Sequence, residues 1–146
     1  MNNSIALQKT LLKEVELNGV GLHTGKQVKL KFVPAPVNTG FVFVRTDVTP
    51  NVKIPADIQY VINTDRGTNL EKDGYKIQTS EHVLAALVGM GVDNCFIELD
   101  ESESPIMDGS SKFFVEAIES AGVIEQSERR CEYVVTEIIS YRDEET

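Results

Sequence analysis

Gln27-Val28-Lys29-Leu30-Lys31-Phe32 alternates polar or charged with apolar side chains without a break. Successive side chains of a strand point to opposite faces. Val28, Leu30 and Phe32 therefore share one face, and Gln27, Lys29 and Lys31 the other. The stretch predicts a strand over 26–33 with one buried and one wet face, the habit of antiparallel sheets. Pro34-Ala35-Pro36 ends it, because proline cannot donate to the ladder. Upstream, Val15 and Leu17 alternate with Glu14 and Glu16, and Asn18-Gly19-Val20-Gly21 marks a turn. Downstream, Phe41 to Arg45 predicts a short strand after Asn38-Thr39-Gly40, and another strand is expected near 57–62. Glu71-Lys72-Asp73-Gly74 carries the Asp-Gly signature of a tight hairpin joining strands near 68–70 and 75–78.

The period changes at Thr79. Thr79 or Ser80 is placed to cap a helix, and Glu81 puts negative charge in its first turn. Val83, Leu84, Leu87 and Val88 recur at helical spacing, and Gly89 and Gly91 stop the run. A strand is expected over 95–99. A second helix is expected over 111–121, with Phe113, Phe114, Ala117, Ile118 and Ala121 on its apolar side and Gly122 as its C-terminal cap. These elements predict an α+β fold, a mostly antiparallel sheet with two helices packed on one face. Glu125-Gln126-Ser127-Glu128-Arg129-Arg130 reads as a charged connector, and Cys131 to Tyr141 as a strand beyond it. The expected organisation is one domain over 1–127, with 128–146 holding a linker and the first strand of a second, truncated domain.

The 146 residues include 41% hydrophobic and 25% charged side chains, a globular balance rather than a disordered one. The net charge of -9 argues against non-specific binding to nucleic acid. Cys95 and Cys131 have no metal-ribbon spacing and sit in apolar strand-like runs, so both are expected as buried thiols in a reducing compartment. The N-terminus lacks a basic segment followed by an apolar core, and no apolar stretch reaches membrane-spanning length. A cytoplasmic location is expected.

Thr79-Ser80-Glu81-His82 places a carboxylate beside an imidazole at a helix N-terminus. Neighbouring helical residues point about 100° apart, so the pair would not chelate one ion symmetrically. Divided labour fits better: His82 binds a metal, and Glu81 takes a proton from the water beside it. On these residues alone a plainer reading is preferred, with Glu81 favouring the helix terminus and His82 bonded to backbone. His23 lies in Gly19-Val20-Gly21-Leu22-His23-Thr24-Gly25, where glycine permits close approach to a ligand, although a simple hairpin with one surface histidine is the better reading of these residues alone. Asp93-Asn94 and Asp108-Gly109-Ser110 read as turn and cap residues. Asp100-Glu101-Ser102-Glu103 reads as a solvated acidic loop.

Together these motifs resemble the UDP-3-O-acyl-N-acetylglucosamine deacetylases. The resemblance rests on Gly19 to Gly25, Pro34-Ala35-Pro36, Asn38-Thr39-Gly40, Arg45-Thr46-Asp47, Thr79 to Leu87, Gly91-Val92-Asp93-Asn94 and Pro105-Ile106-Met107-Asp108-Gly109-Ser110. They occur in the family's order from about Lys9 to Arg130.

The resemblance implies removal of the N-acetyl group from UDP-3-O-acyl-N-acetylglucosamine, an early step of lipid A synthesis in Gram-negative bacteria, with one zinc ion. It implies that His82 is the zinc ligand of the first domain, Glu81 the general base, and His23 a supporting residue of the cleft. It also implies two similar α+β domains with the helices sandwiched between two sheets. The other zinc ligands, a His-x-x-x-Asp motif, belong to the second domain, as do a histidine for the leaving amine and most of the acyl passage. In some bacteria the deacetylase is fused to a 3-hydroxyacyl carrier-protein dehydratase.

The chain is accordingly expected to be the inactive N-terminal half of a zinc amidohydrolase. Helix faces carrying Val83, Leu87 and Phe113 or Phe114 are expected to lose part of their cover, leaving an exposed apolar patch and with it weak self-association or lowered stability. Thr64-Asp65-Arg66-Gly67-Thr68 is polar where some relatives carry apolar and cysteine residues. Two other readings are a non-catalytic binding or regulatory domain, and an unrelated enzyme using a Glu–His pair without metal.

Overall fold

The computed structural model describes residues 3–142. Its strands are β1 (Asn3–Leu11), β2 (Val15–Val20), β3 (Gln27–Pro34), β4 (Phe41–Arg45), β5 (Val52–Pro55), β6 (Val61–Asn63), β7 (Asn69–Lys72), β8 (Tyr75–Ile77), β9 (Cys95–Leu99) and β10 (Val123–Cys131). The helices are α1 (Glu81–Gly89) and α2 (Lys112–Ala121). The central sheet runs β2-β3-β9-β4-β5, and β6-β7-β8 and β1-β10 form two smaller sheets. All pairs are antiparallel except β4 with β9. The α+β architecture is as the sequence predicts.

The alternation in β3 fixes the register. Leu30 faces Leu17 of β2 and Leu99 of β9, and Phe32 faces Val15 and Ile97. A one-residue slip would turn every one of these side chains toward water. Val83, Ala86 and Leu87 of α1 and Phe114, Ala117, Ile118 and Ala121 of α2 join the same buried cluster as Leu30, Phe32, Phe43, Ile97 and Leu99. Phe114 meets Phe32 edge to face, with ring centroids 6.4 Å apart. Truncating either ring to alanine would cost about 3–5 kcal/mol.

The exposed apolar face of the helices is narrower than expected. Val83, Leu87 and Phe114 are fully buried, whereas Phe113 is 39% and Val88 64% exposed. The sheet takes the inward stripe of both helices, so only side chains on the far side remain uncovered. Between α2 and the end of β2, Gly19, Val20, Ile106, Met107 and Phe113 line an open pocket of about 400 Å³.

Three local expectations are corrected. The strand expected near 57–62 is a short 3-10 turn at Ile58–Tyr60 followed by β6. Asp57 makes that turn, its carboxylate accepting the N–H of Gln59 and its carbonyl that of Tyr60. The expected connector Glu125–Arg130 is the body of β10, which pairs with β1. Residues 132–142 carry no regular structure. Tyr133, Val134, Val135, Ile138 and Ile139 are exposed there, and their strand-like pattern meets no sheet edge among the described residues.

A buried polar clasp holds the β1-β10 ribbon. The Asn94 amide donates to Gln8 and to Gln126, both at 2.8 Å, and its oxygen accepts the Gly40 N–H at 2.8 Å. The hydroxyl of Thr10 donates to the Asn94 carbonyl and accepts the Ala35 N–H. Asp93 accepts from the Lys9 N–H and from the Arg130 guanidinium. Asp93 and Asn94 are thus structural, but through contacts distant in sequence rather than as the turn and cap residues expected.

Candidate active site

Strand β8 delivers the chain to α1 through Thr79, whose φ of 55° turns the backbone sharply. Ser80 takes the N-cap position, but its side chain does not cap the helix. Its hydroxyl donates instead to the Thr68 carbonyl at 2.8 Å, which also accepts the Ser80 N–H at 3.2 Å. The Thr68 N–H donates to Glu81 Oε2 at 2.8 Å. Both backbone groups of Thr68 are therefore engaged by the first residues of α1, and the 64–68 turn is fastened over the helix N-terminus.

The fastening sets the carboxylate of Glu81. One oxygen is held by Thr68, and the other carries no hydrogen bond among the described residues. Gly67 lies against it. A Cβ there would stand 3.2 Å from Glu81 Oε1, and the Gly67 φ of 150° excludes most other residues. Arg45 secures the hairpin that follows the turn. Its guanidinium is paired with Asp47 and donates to the Lys76 carbonyl at 2.9 Å, tying β8 to β4. The hydrogen bonds from Arg45 hold the Asp47 carboxyl below its ordinary range, against an opposing push from burial.

His82 follows Glu81 on the first turn and is half-buried. No hydrogen bond occupies its ring among the described residues, so the plain reading of a backbone-bonded imidazole fails. Its carbonyl accepts the Ser111 hydroxyl at 3.0 Å, which fixes the start of α2 beside the site. His23 is exposed, and its Nε2 stands 3.4 Å from the Arg66 carbonyl. His23 and Glu81 thus flank the same 66–68 turn from two sides.

Glu103 is the functional-site neighbour that the acidic run concealed. It is 1% exposed, and its carboxylate accepts the N–H groups of His23 and Thr24 and the Thr79 hydroxyl. Burial pushes its pKa up, but the donors from His23, Thr24 and Thr79 prevail and hold it below the ordinary range. The rest of the run behaves as a surface loop, with Asp100 accepting the Lys29 N–H and Glu101 pairing with Lys26 at 3.0 Å. Ser102, Ser104 and Pro105 are the local hint that the chain turns inward at Glu103.

Residues 8–146 match the family model LpxC, UDP-3-O-acyl N-acetylglycosamine deacetylase. The chain belongs to this family. It is 49% identical over 138 residues to the bifunctional enzyme LpxC/FabZ of Chlorobaculum tepidum, covering 94% of this chain and 30% of that protein. It is 52% identical over 119 residues to the UDP-3-O-acyl-N-acetylglucosamine deacetylase of Chromohalobacter salexigens, covering 82% and 39%. The corresponding protein of Xanthomonas axonopodis pv. citri is 46% identical over 136 residues, with 93% and 45% covered. The chain thus spans between about a third and somewhat under half of these LpxC relatives.

LpxC membership sharpens the question of a metal. Among the described residues, no three His, Cys, Asp or Glu side chains gather into a metal site. His82 fits a ligand role, because its ring nitrogens are uncommitted, and Glu81 stands next to it with one oxygen available. Cys95 does not fit. It is buried at the start of β9 in the central sheet, and burial pushes its thiol up to about 12. Cys131, expected to be buried, is exposed at the end of β10. Among the described residues, no helix is long and apolar enough to cross a membrane.

Proposed function

We propose that this chain is the first half of a zinc-dependent deacetylase acting on UDP-3-O-acyl-N-acetylglucosamine, in the lipid A pathway of Gram-negative bacteria. The observation that carries the reading is the pairing on α1: an uncommitted imidazole, His82, next to a carboxylate, Glu81, held by one oxygen and open at the other. His82 is the metal ligand of this half. Glu81 Oε1 accepts the proton of the attacking water, while the Thr68 N–H keeps Oε2 from swinging away. Zinc, when bound, supplies Lewis acidity toward the acetamide carbonyl and acidifies water near it. His23 borders the cleft in a supporting role.

A catalytic zinc takes about three protein ligands, and one ligand residue stands here. The remaining ligands come from the second half of the whole protein, in a His-x-x-x-Asp segment. The two halves would form a β-α-α-β sandwich, with Phe113 and Val88 covered by the second half. The boundary proposed near 127–128 falls inside β10, which pairs with β1 on both sides of it. The isolated chain is expected to associate weakly through this uncovered surface. The reaction takes place in the cytoplasm, on a nucleotide-sugar substrate and without nucleic acid.

The test compares acetate release by the whole protein with that of the isolated 1–146 chain, shown to be folded by circular dichroism. Zinc-dependent release by the first and none above background by the second is expected. Turnover by the folded isolated chain would overturn the assignment of missing ligands to the second half.

A further inference from the structure

A buried carboxylate ordinarily needs a cation, since removing it from water costs several kcal/mol. Glu103 has no ion pair among the described residues. Its partners are all neutral donors. Oε1 accepts the His23 N–H at 3.0 Å and the Thr79 hydroxyl at 3.1 Å, while Oε2 accepts the Thr24 N–H at 2.8 Å and lies 3.2 Å from the His23 N–H. An acceptor-only group is the right complement to such a nest, and an amide is not, because its NH₂ would confront a donor. The turn closes so tightly that a Cβ on Gly21 would overlap the Glu103 carboxylate.

The backbone around Glu103 is stitched to both sides. Ser102 and Ser104 exchange hydrogen bonds with Gln78, the residue before Thr79. Gly21 bridges Pro105, and the Ile106 N–H donates to the Val20 carbonyl at 2.9 Å. Glu103 therefore sits where the glycine-rich turn and the entry to α1 are joined. One side of that joint carries His23. The other carries Thr79, at positive φ, two residues before Glu81.

We propose that Glu103 is a positioning residue for the deacetylation. It fixes the His23 turn against the N-terminus of α1 and so sets His23 relative to Glu81. The proposal rests on the deacetylase reading above. It assigns the loss on removing Glu103 to the rate of the chemical step rather than to substrate binding or metal loading.

The test is steady-state deacetylation by the whole protein carrying Glu103→Gln, with turnover counted per bound zinc. A fall in kcat of about 10- to 100-fold is expected, with KM within about twofold and zinc content unchanged. Thr79→Val removes one donor while keeping side-chain shape. It should show a smaller fall in the same direction, and it serves if Glu103→Gln does not fold. A merely structural role would lower the melting temperature and leave kcat per zinc unchanged, which would overturn the proposal. A fall confined to KM or to zinc content would overturn it too. An active wild type separates these results from failure of the deacetylase reading, which would show as a wild type without turnover.

Discussion

Glu81 Oε2 accepts the backbone N–H of Thr68 at 2.8 Å, and its Oε1 faces Gly67. A carboxylate held at one oxygen and open at the other is oriented for proton transfer without losing its basic lone pair. Glu81→Gln preserves the size of the side chain and an acceptor for Thr68 but abolishes the base. In the whole protein its turnover is expected to drop by about 10²- to 10⁴-fold, with zinc content at the wild-type level. Loss of zinc along with turnover would show that Glu81 is a ligand instead.

Gly67 combines a φ of 150° with the close approach to Glu81 Oε1. Gly67→Ala adds strain of about 1–3 kcal/mol and presses a methyl group on the carboxylate. Both stability and kcat are expected to fall, and comparing denaturant midpoints with turnover separates the two. A variant with unchanged kcat would mean that the 66–68 turn does not set the position of Glu81.

The His82 ring makes no hydrogen bond among the described residues, so its removal leaves no buried partner orphaned. His82→Ala is therefore expected to deplete zinc in the purified whole protein while shifting the stability of the metal-free form by no more than about 0.5 kcal/mol. Elemental analysis and thermal unfolding read the two effects. Full zinc loading of the variant would remove His82 from the ligand set.

Asn94 is buried, and through its side-chain amide it joins the Gln8 amide of β1, the Gln126 amide of β10 and the Gly40 N–H. Asn94→Ala strands several of these groups at once, at about 1–3 kcal/mol for each one left unsatisfied. The urea midpoint is expected to fall accordingly, and amide protons of β1 and β10 to exchange faster than those of β3. Uniform exchange across the chain would argue that the ribbon is not held by this clasp.

The parts legible in the sequence are those written in a local period. The alternation of Val28, Leu30 and Phe32, the Asp73-Gly74 turn, and the stripe of Phe114, Ala117 and Ile118 each specify an element by themselves. The β1-β10 ribbon was not legible, because its partners are more than 110 residues apart in sequence and a polar clasp holds it rather than an apolar stripe. Thr79 or Ser80 was expected to cap α1, yet Glu103 takes the Thr79 hydroxyl and the Thr68 carbonyl that of Ser80. Glu81 and His82 were legible as neighbours at the start of α1, and only the ordered set of motifs favoured chemistry over the plain reading. Glu103 was hidden among Asp100 and Glu101, since its burial is created by His23 and Thr24, some 80 residues away.

The decisive measurement is acetate release from UDP-3-O-acyl-N-acetylglucosamine by the whole protein, stripped of metal by a chelator and titrated with zinc. Activity is expected to vanish on stripping and to return in proportion to zinc, reaching its plateau at about one equivalent per chain. Acetate release that persists in the metal-free protein, or its absence at every zinc level, would contradict a zinc deacetylase built on Glu81 and His82.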